Sequence, residues 1–230
     1  MSFGGFIPNR ISNRTVLRIL DSMRRIQKRF HIAWGVSKKN INKNRIATDR
    51  LLGSFGEGKR PDPDGIGLLE KQNSYGDIAY GRSDMAYAGC EIIAVYNALL
   101  SLGRRADLQE LIRDFEQDGM VLSGRFGTAP LAIRDHLVKR GMKVRTTLDP
   151  EEYDELAADS DVSILTLYND SRSIFHKIHT ICITHGDRGY TAHNTYGDGI
   201  LIGPYPSVSE LMSHINGGYA KGIVMFGIKN

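Results

Sequence analysis

Cysteine is almost missing from this sequence, which carries only Cys90 and Cys182 in 230 residues. No Cys-x-x-Cys spacing is present to hold zinc or an iron–sulfur cluster, and no dense disulfide frame to stabilise a small secreted fold. Two reduced, buried thiols and a single disulfide both remain open. Long apolar runs are missing too. The longest, from Ala86 to Leu100, is interrupted by Gly89, Glu91 and Asn97, far short of the roughly 20 apolar residues that cross a bilayer, so no transmembrane helix is expected. A compact apolar block after a basic start is also lacking, because Arg10, Arg14, Arg18, Arg24 and Arg25 break up the first 25 residues. The expected location is therefore cytoplasmic, or exported without a Sec-type signal peptide. Nothing in the sequence calls for a metal or an organic cofactor. What is present is ordinary for a globular protein: 41% apolar residues, enough for a sizeable core.

Acidic residues are scarce at one end only. Residues 1–60 hold 14 Lys and Arg against 3 Asp and Glu, a net of +11, while the remainder holds 16 basic and 23 acidic residues, a net of −7. The glycine- and proline-rich stretch from Gly53 to Gly67 reads as a linker between the two. Two units are expected, a basic extension over 1–60 and a globular domain over 61–230. Within the extension Val16, Ile19, Leu20, Met23, Ile26 and Phe30 recur at three- and four-residue spacing, with Arg18, Arg24, Arg25, Lys28 and Arg29 on the rest of the surface. This is a basic amphipathic helix, whose partner is an anionic surface or the acidic domain of its own chain. No recognisable nucleic-acid motif accompanies the charge.

Periodicity after the linker predicts helices at Cys90–Leu102, Leu108–Gln117 and Ala129–Lys139, the last opened by Thr128 as N-cap and closed by Gly141. Strands are expected at Lys143–Leu148, Val162–Leu167, Thr180–Thr184, Tyr190–His193 and Ile223–Ile228, with a short helix at Val208–Ile215. Helices first and antiparallel strands afterwards make an α+β layout.

One constellation carries chemistry. In Ala-Tyr-Ala-Gly-Cys-Glu-Ile-Ile-Ala-Val small residues give way to a helical apolar run at Cys90, placing the sulfur at a helix N-terminus, where unpaired N–H groups and the helix dipole favour a thiolate. Glu91 opposes this, since a neighbouring carboxylate disfavours a second negative charge, so a base is needed. His176, His179 and His185 surround the apolar strand. Strand alternation groups His179 with Ile181 and Ile183, which selects His179. After a turn at His185–Gly189 the next strand ends at Asn194, and a hairpin can set that carboxamide beside the imidazole to fix its tautomer. Cys182 faces the other way and reads as a core thiol.

These residues resemble a known family. The helix-initial Gly89-Cys90, the Gly-Thr-Ala-Pro helix start at Gly127–Pro130 and the His-strand-turn-strand-Asn hairpin are similar to papain-like cysteine peptidases, closest to the bacterial double-glycine leader peptidases and their stand-alone relatives. The resemblance covers about Gly76 to Ile228. It implies a papain-like fold, with a helical half whose nucleophile helix packs on an antiparallel sheet. It implies a Cys90, His179, Asn194 triad that cleaves a peptide or isopeptide bond through a thioester, with a peptide or protein as substrate. The same machinery also serves deamidases and transglutaminase-type transferases, toxin domains among them, and a degenerate module would only bind. The family's oxyanion-stabilising Gln, about six residues before the cysteine, is replaced by Asp84, which when ionised has no donor. Gln72 or Asn73 are the candidates to supply one from the preceding loop.

Overall fold

A computed structural model describes residues 12–32, 34–54, 67–171, 178–195 and 201–230. Of the sequence expectations, His176 and most of the expected linker lie outside the described residues.

Three predicted helices sit almost where their periodicity places them. They are α4 (Cys90–Ser101), α5 (Leu108–Asp118) and α6 (Pro130–Lys139). Between the linker and α4 lie a short ribbon, β1 (Ala79–Tyr80) with β2 (Ser83–Asp84), and a single turn of helix, α3 (Met85–Ala88). Asp107 caps α5 by accepting from the Glu110 amide, and Gly141, at φ +85°, ends α6 in the left-handed conformation that glycine adopts without strain. Thr128 does not cap α6. The N-cap is Ala129, without a side-chain bond, followed by Pro130 in the first turn, because the Thr128 hydroxyl is engaged with Tyr80 Oη at 2.6 Å.

The second half forms an antiparallel sheet from β3 (Lys143–Thr147), β4 (Val162–Tyr168), β5 (Ile178–Gly186), β6 (Gly189–His193), β7 (Ile202–Tyr205) and β8 (Lys221–Lys229), in the order β3-β8-β4-β5-β6-β7. The α+β layout expected from the sequence is the observed one. Strand alternation gives the sheet two apolar faces. Ile164, Cys182, Val224 and Phe226 pack against α4, α5 and α6. Leu165, Leu167, Ile181, Ile183 and Met225 pack with Tyr153 and Leu156 of α7 (Tyr153–Ala158) and Val208 and Leu211 of α8 (Val208–His214). Helix α4 lies at the centre of the first layer, with Ile92, Ile93, Val95 and Leu99 at most 1% exposed, each worth about 1.5–3 kcal/mol of burial.

The basic segment packs on this body through two helices, α1 (Asn13–Arg29) and α2 (Trp34–Gly53). The docked face of α1 is not its predicted apolar stripe. Leu17, Leu20, Asp21 and Arg24 are buried, whereas Ile19, Met23, Ile26 and Phe30 stay 36–68% exposed. The reason is the polar seam beneath the helix. Arg24 binds Asp21 and Asp135, the latter at 2.7 Å, and donates to the Asp118 carbonyl. Gln27 donates to Met120 O and accepts from Ser123 N, and Lys28 pairs with Asp118. Helix α2 has no apolar stripe and was not predicted. Ala47, Leu51 and Leu52 near its end pack on the core, and amide side chains hold the rest: Asn44 both donates to and accepts from the Ala79 backbone at 2.8 Å, and Asn40 reaches Gly81 O and Glu116.

Candidate active site around Cys90

Cys90 is the first residue of α4. A tight step leads into it, since a Cβ on Gly89 would stand 2.6 Å from Met85 O, so only glycine lets α3 run straight into α4. Cys90 is 6% exposed and borders a cavity of about 90 Å³ lined by Leu20, Tyr87, Glu91, Phe126 and Thr128 among others. Larger clefts of about 170 and 210 Å³ lie against α5, but neither contains a cysteine. Leu20 makes α1 part of the wall beside Cys90.

The thiol's hydrogen-bond partner is its sequence neighbour. Cys90 Sγ donates to Glu91 Oε2 at 3.1 Å. Side chains one residue apart on a helix diverge, so this contact requires the longer Glu91 to fold back. Thr128 and Thr180 flank the carboxylate and favour its charged form. Gly127, at φ +70°, brings its turn of chain close to the same group, since a Cβ there would stand 3.9 Å from Glu91 Oε2. Burial and the Glu91 charge push the Cys90 thiol well above its ordinary pKa, opposed in part by the Thr180 amide. Cys90 is therefore held as a neutral thiol, and helix-end stabilisation does not prevail over desolvation. Burial also raises Glu91, to about 7, opposed most by its hydrogen bond with Cys90.

His179 belongs to a second polar cluster. On β5, Ile178 and Cys182 face the helical layer, Ile181 and Ile183 the opposite one, and Thr180 meets Glu91. By the same alternation His179 faces away from α4. Its Nε2 lies 2.5 Å from the Asn194 carbonyl oxygen. A carbonyl only accepts, so Nε2 carries the proton and Nδ1 the lone pair. Burial lowers this imidazole to about 4, and the Asn194 carbonyl opposes the shift. The sequence reading gave the Asn194 carboxamide to the imidazole. In the structure it is the backbone carbonyl that does this, while the carboxamide binds Gln72, accepting from its amide at 3.1 Å and donating to Oε1 at 3.2 Å.

Gln72 is consequently placed as a tie and not as a free donor, for its Nε2 is given to Ala86 O in α3 at 3.1 Å. Asn73 is exposed in the same short turn. Asp84 caps α3 by accepting from the Tyr87 amide at 2.9 Å. His185 is exposed at the β5–β6 hairpin against Tyr190. Two buried residues that sequence reasoning missed complete the second cluster. Glu70 accepts from the Asn194 amide and pairs with His193 Nδ1 at 2.7 Å, and His193 Nε2 meets Thr184 Oγ1 at 2.8 Å. Glu70 and His193 are 123 positions apart, and no local pattern announces the pair.

Among the described residues no group of three or more His, Cys, Asp and Glu side chains could hold a metal ion, and no helix is long and apolar enough to cross a membrane. Comparison with protein-family models, with curated proteins and with solved structures found no match.

Proposed function

We propose that the chain is a thiol acyl-transfer enzyme of papain-like type that cleaves a peptide or isopeptide bond through a thioester on Cys90. The observation that carries this is the position of Cys90, at the first turn of the buried helix α4 and on the wall of a cavity. A core thiol has no reason to meet a cavity, and Cys182, 0% exposed in the sheet, illustrates the difference. The layered architecture, with the cysteine helix against an antiparallel sheet, agrees with the family resemblance. So does the His179–Asn194 pair, although it meets through a different atom.

In this reading Cys90 Sγ attacks the substrate carbonyl, and His179, with its lone pair on Nδ1, carries a proton in the turnover that follows. Because β5 is an interior strand and the imidazole faces the layer opposite α4, this step requires a local rearrangement that frees His179 from the Asn194 carbonyl. A binding module without catalysis is the second reading. It is favoured by the raised thiol pKa and by Asp84, a capping carboxylate where the family places a donor.

Substitution separates the two readings. Cys90→Ala is expected to abolish acyl transfer to an ester or peptide donor, and His179→Ala to lower turnover by about 100-fold or more. Asn194→Ala should cost less, because the carbonyl that holds the imidazole remains. Full activity in Cys90→Ala would remove the enzyme reading altogether.

A further inference from the structure

The only side-chain acceptor within hydrogen-bond distance of the Cys90 thiol, among the described residues, is Glu91 Oε2. That carboxylate lines the same cavity as the sulfur and is only 3% exposed. Two other elements flank the carboxylate, Thr128 before α6 and Thr180 on β5, and a Cβ on Gly127 would stand 3.9 Å from Oε2. The titratable groups facing it are Cys90 on its own helix and Tyr80 of β1, a phenol raised well above its ordinary pKa by burial and tied to Thr128.

We propose that Glu91 is the catalytic proton acceptor for Cys90 during acylation. This rests on Cys90 being the acyl-transfer nucleophile and adds a residue that the triad leaves out. As Sγ bonds to the carbonyl carbon, the S–H bond breaks and its proton passes to Glu91 Oε2, while the carbonyl electron pair moves to oxygen. When the tetrahedral adduct collapses, the carbonyl re-forms and the bond to the leaving nitrogen or oxygen breaks. The leaving atom takes the proton from the Glu91 carboxyl, which restores the carboxylate and leaves a thioester on Cys90. A carboxyl that titrates near 7 both accepts and returns a proton at neutral pH.

A merely structural Glu91, an anion held at a helix N-terminus, predicts the opposite sign. Removing a fixed negative charge beside a thiol raises its thiolate fraction and speeds acylation. The full chain is acylated with 4-nitrophenyl acetate, and the release of the first equivalent of nitrophenolate is followed from pH 5 to 9. In the unaltered protein the acylation rate should rise with pH through about 7, and His179→Ala should keep that rise. Glu91→Gln should lose it and acylate about 100-fold more slowly or worse. Equal or faster acylation by Glu91→Gln, or loss of the rise in His179→Ala, overturns the proposal and leaves the Cys90 reading intact. Absence of a Cys90-dependent burst in the unaltered protein overturns both. Should Glu91→Gln fail to fold, Thr180→Val serves instead. It removes a hydroxyl that favours the charged carboxylate, so the inflection should move upward, and an inflection that does not move overturns the assignment.

Discussion

The two buried polar clusters differ in what they are built to do. Around Glu70, His193, Asn194, Gln72 and His179 each described bond ties one distant segment to another: the stretch after the linker to the end of β6, that end to β5, and Gln72 to α3. Around Cys90 one carboxylate accepts from a thiol beside a cavity. The first arrangement holds the helical layer and the sheet in register. The second keeps a thiol and an acceptor together while space is left next to them. The difference teaches that burial of a polar group is not by itself a sign of chemistry. Location against a cavity, and a carboxyl held above its ordinary pKa, are what make the second cluster the reactive one in the proposed function.

The sharpest way to break this contrast is to remove each cluster's carboxylate. Glu70→Ala leaves His193 Nδ1 and the Asn194 amide buried without their acceptor. It should destabilise the fold by about 3–5 kcal/mol, read by urea denaturation. A loss under about 1 kcal/mol would mean that the network is not the tie it is taken for.

Glu91→Gln should act more weakly and in a pH-dependent sense. The folded carboxyl titrates near 7 and the ordinary group near 4.5, so between these values the folded state binds more protons than the unfolded one. Stability contributed by this group therefore falls as pH rises from about 4.5 to about 7. The difference between variant and unaltered protein should be constant below that window. Across it the difference should move in the variant's favour by on the order of 3 kcal/mol. A difference that is independent of pH would place Glu91 among the ordinary tie points.

Much of the fold was legible because its signals are local. The periodicity of Leu108, Leu111, Ile112 and Phe115 fixes α5, and alternation fixes β4 and β6 within a residue or two. Helix α2 was not legible, because Asn40 and Asn44 set amides against the Ala79 and Gly81 backbone, and its apolar contacts with the core, Ala47, Leu51 and Leu52, are confined to its last turns, too short for a hydrophobic period. The face of α1 was misjudged for the same reason: Arg24 looks like a surface charge until Asp118 and Asp135 from other helices are brought beneath it. At the site, the place of Cys90 at the start of α4 follows from the residues around it. The role of Glu91 was read only as an opposing charge. Its surroundings include Thr128 and Thr180, which the chain brings close from 37 and 89 positions further on. Alternation groups His179 with Ile181 and Ile183, but which layer covers that side is a property of the whole sheet.

The central claim, that Cys90 is the nucleophile, is tested most directly by locating the adduct. The intact protein is treated at neutral pH with an acylating probe, digested and mapped by mass spectrometry. The account predicts acyl transfer to Cys90, beside its cavity and its acceptor. Cys182, sealed in the sheet core with its thiol pushed far above the ordinary range by burial, should remain unmodified. Equal modification of the two cysteines, or none at Cys90 while the protein is folded, would contradict it.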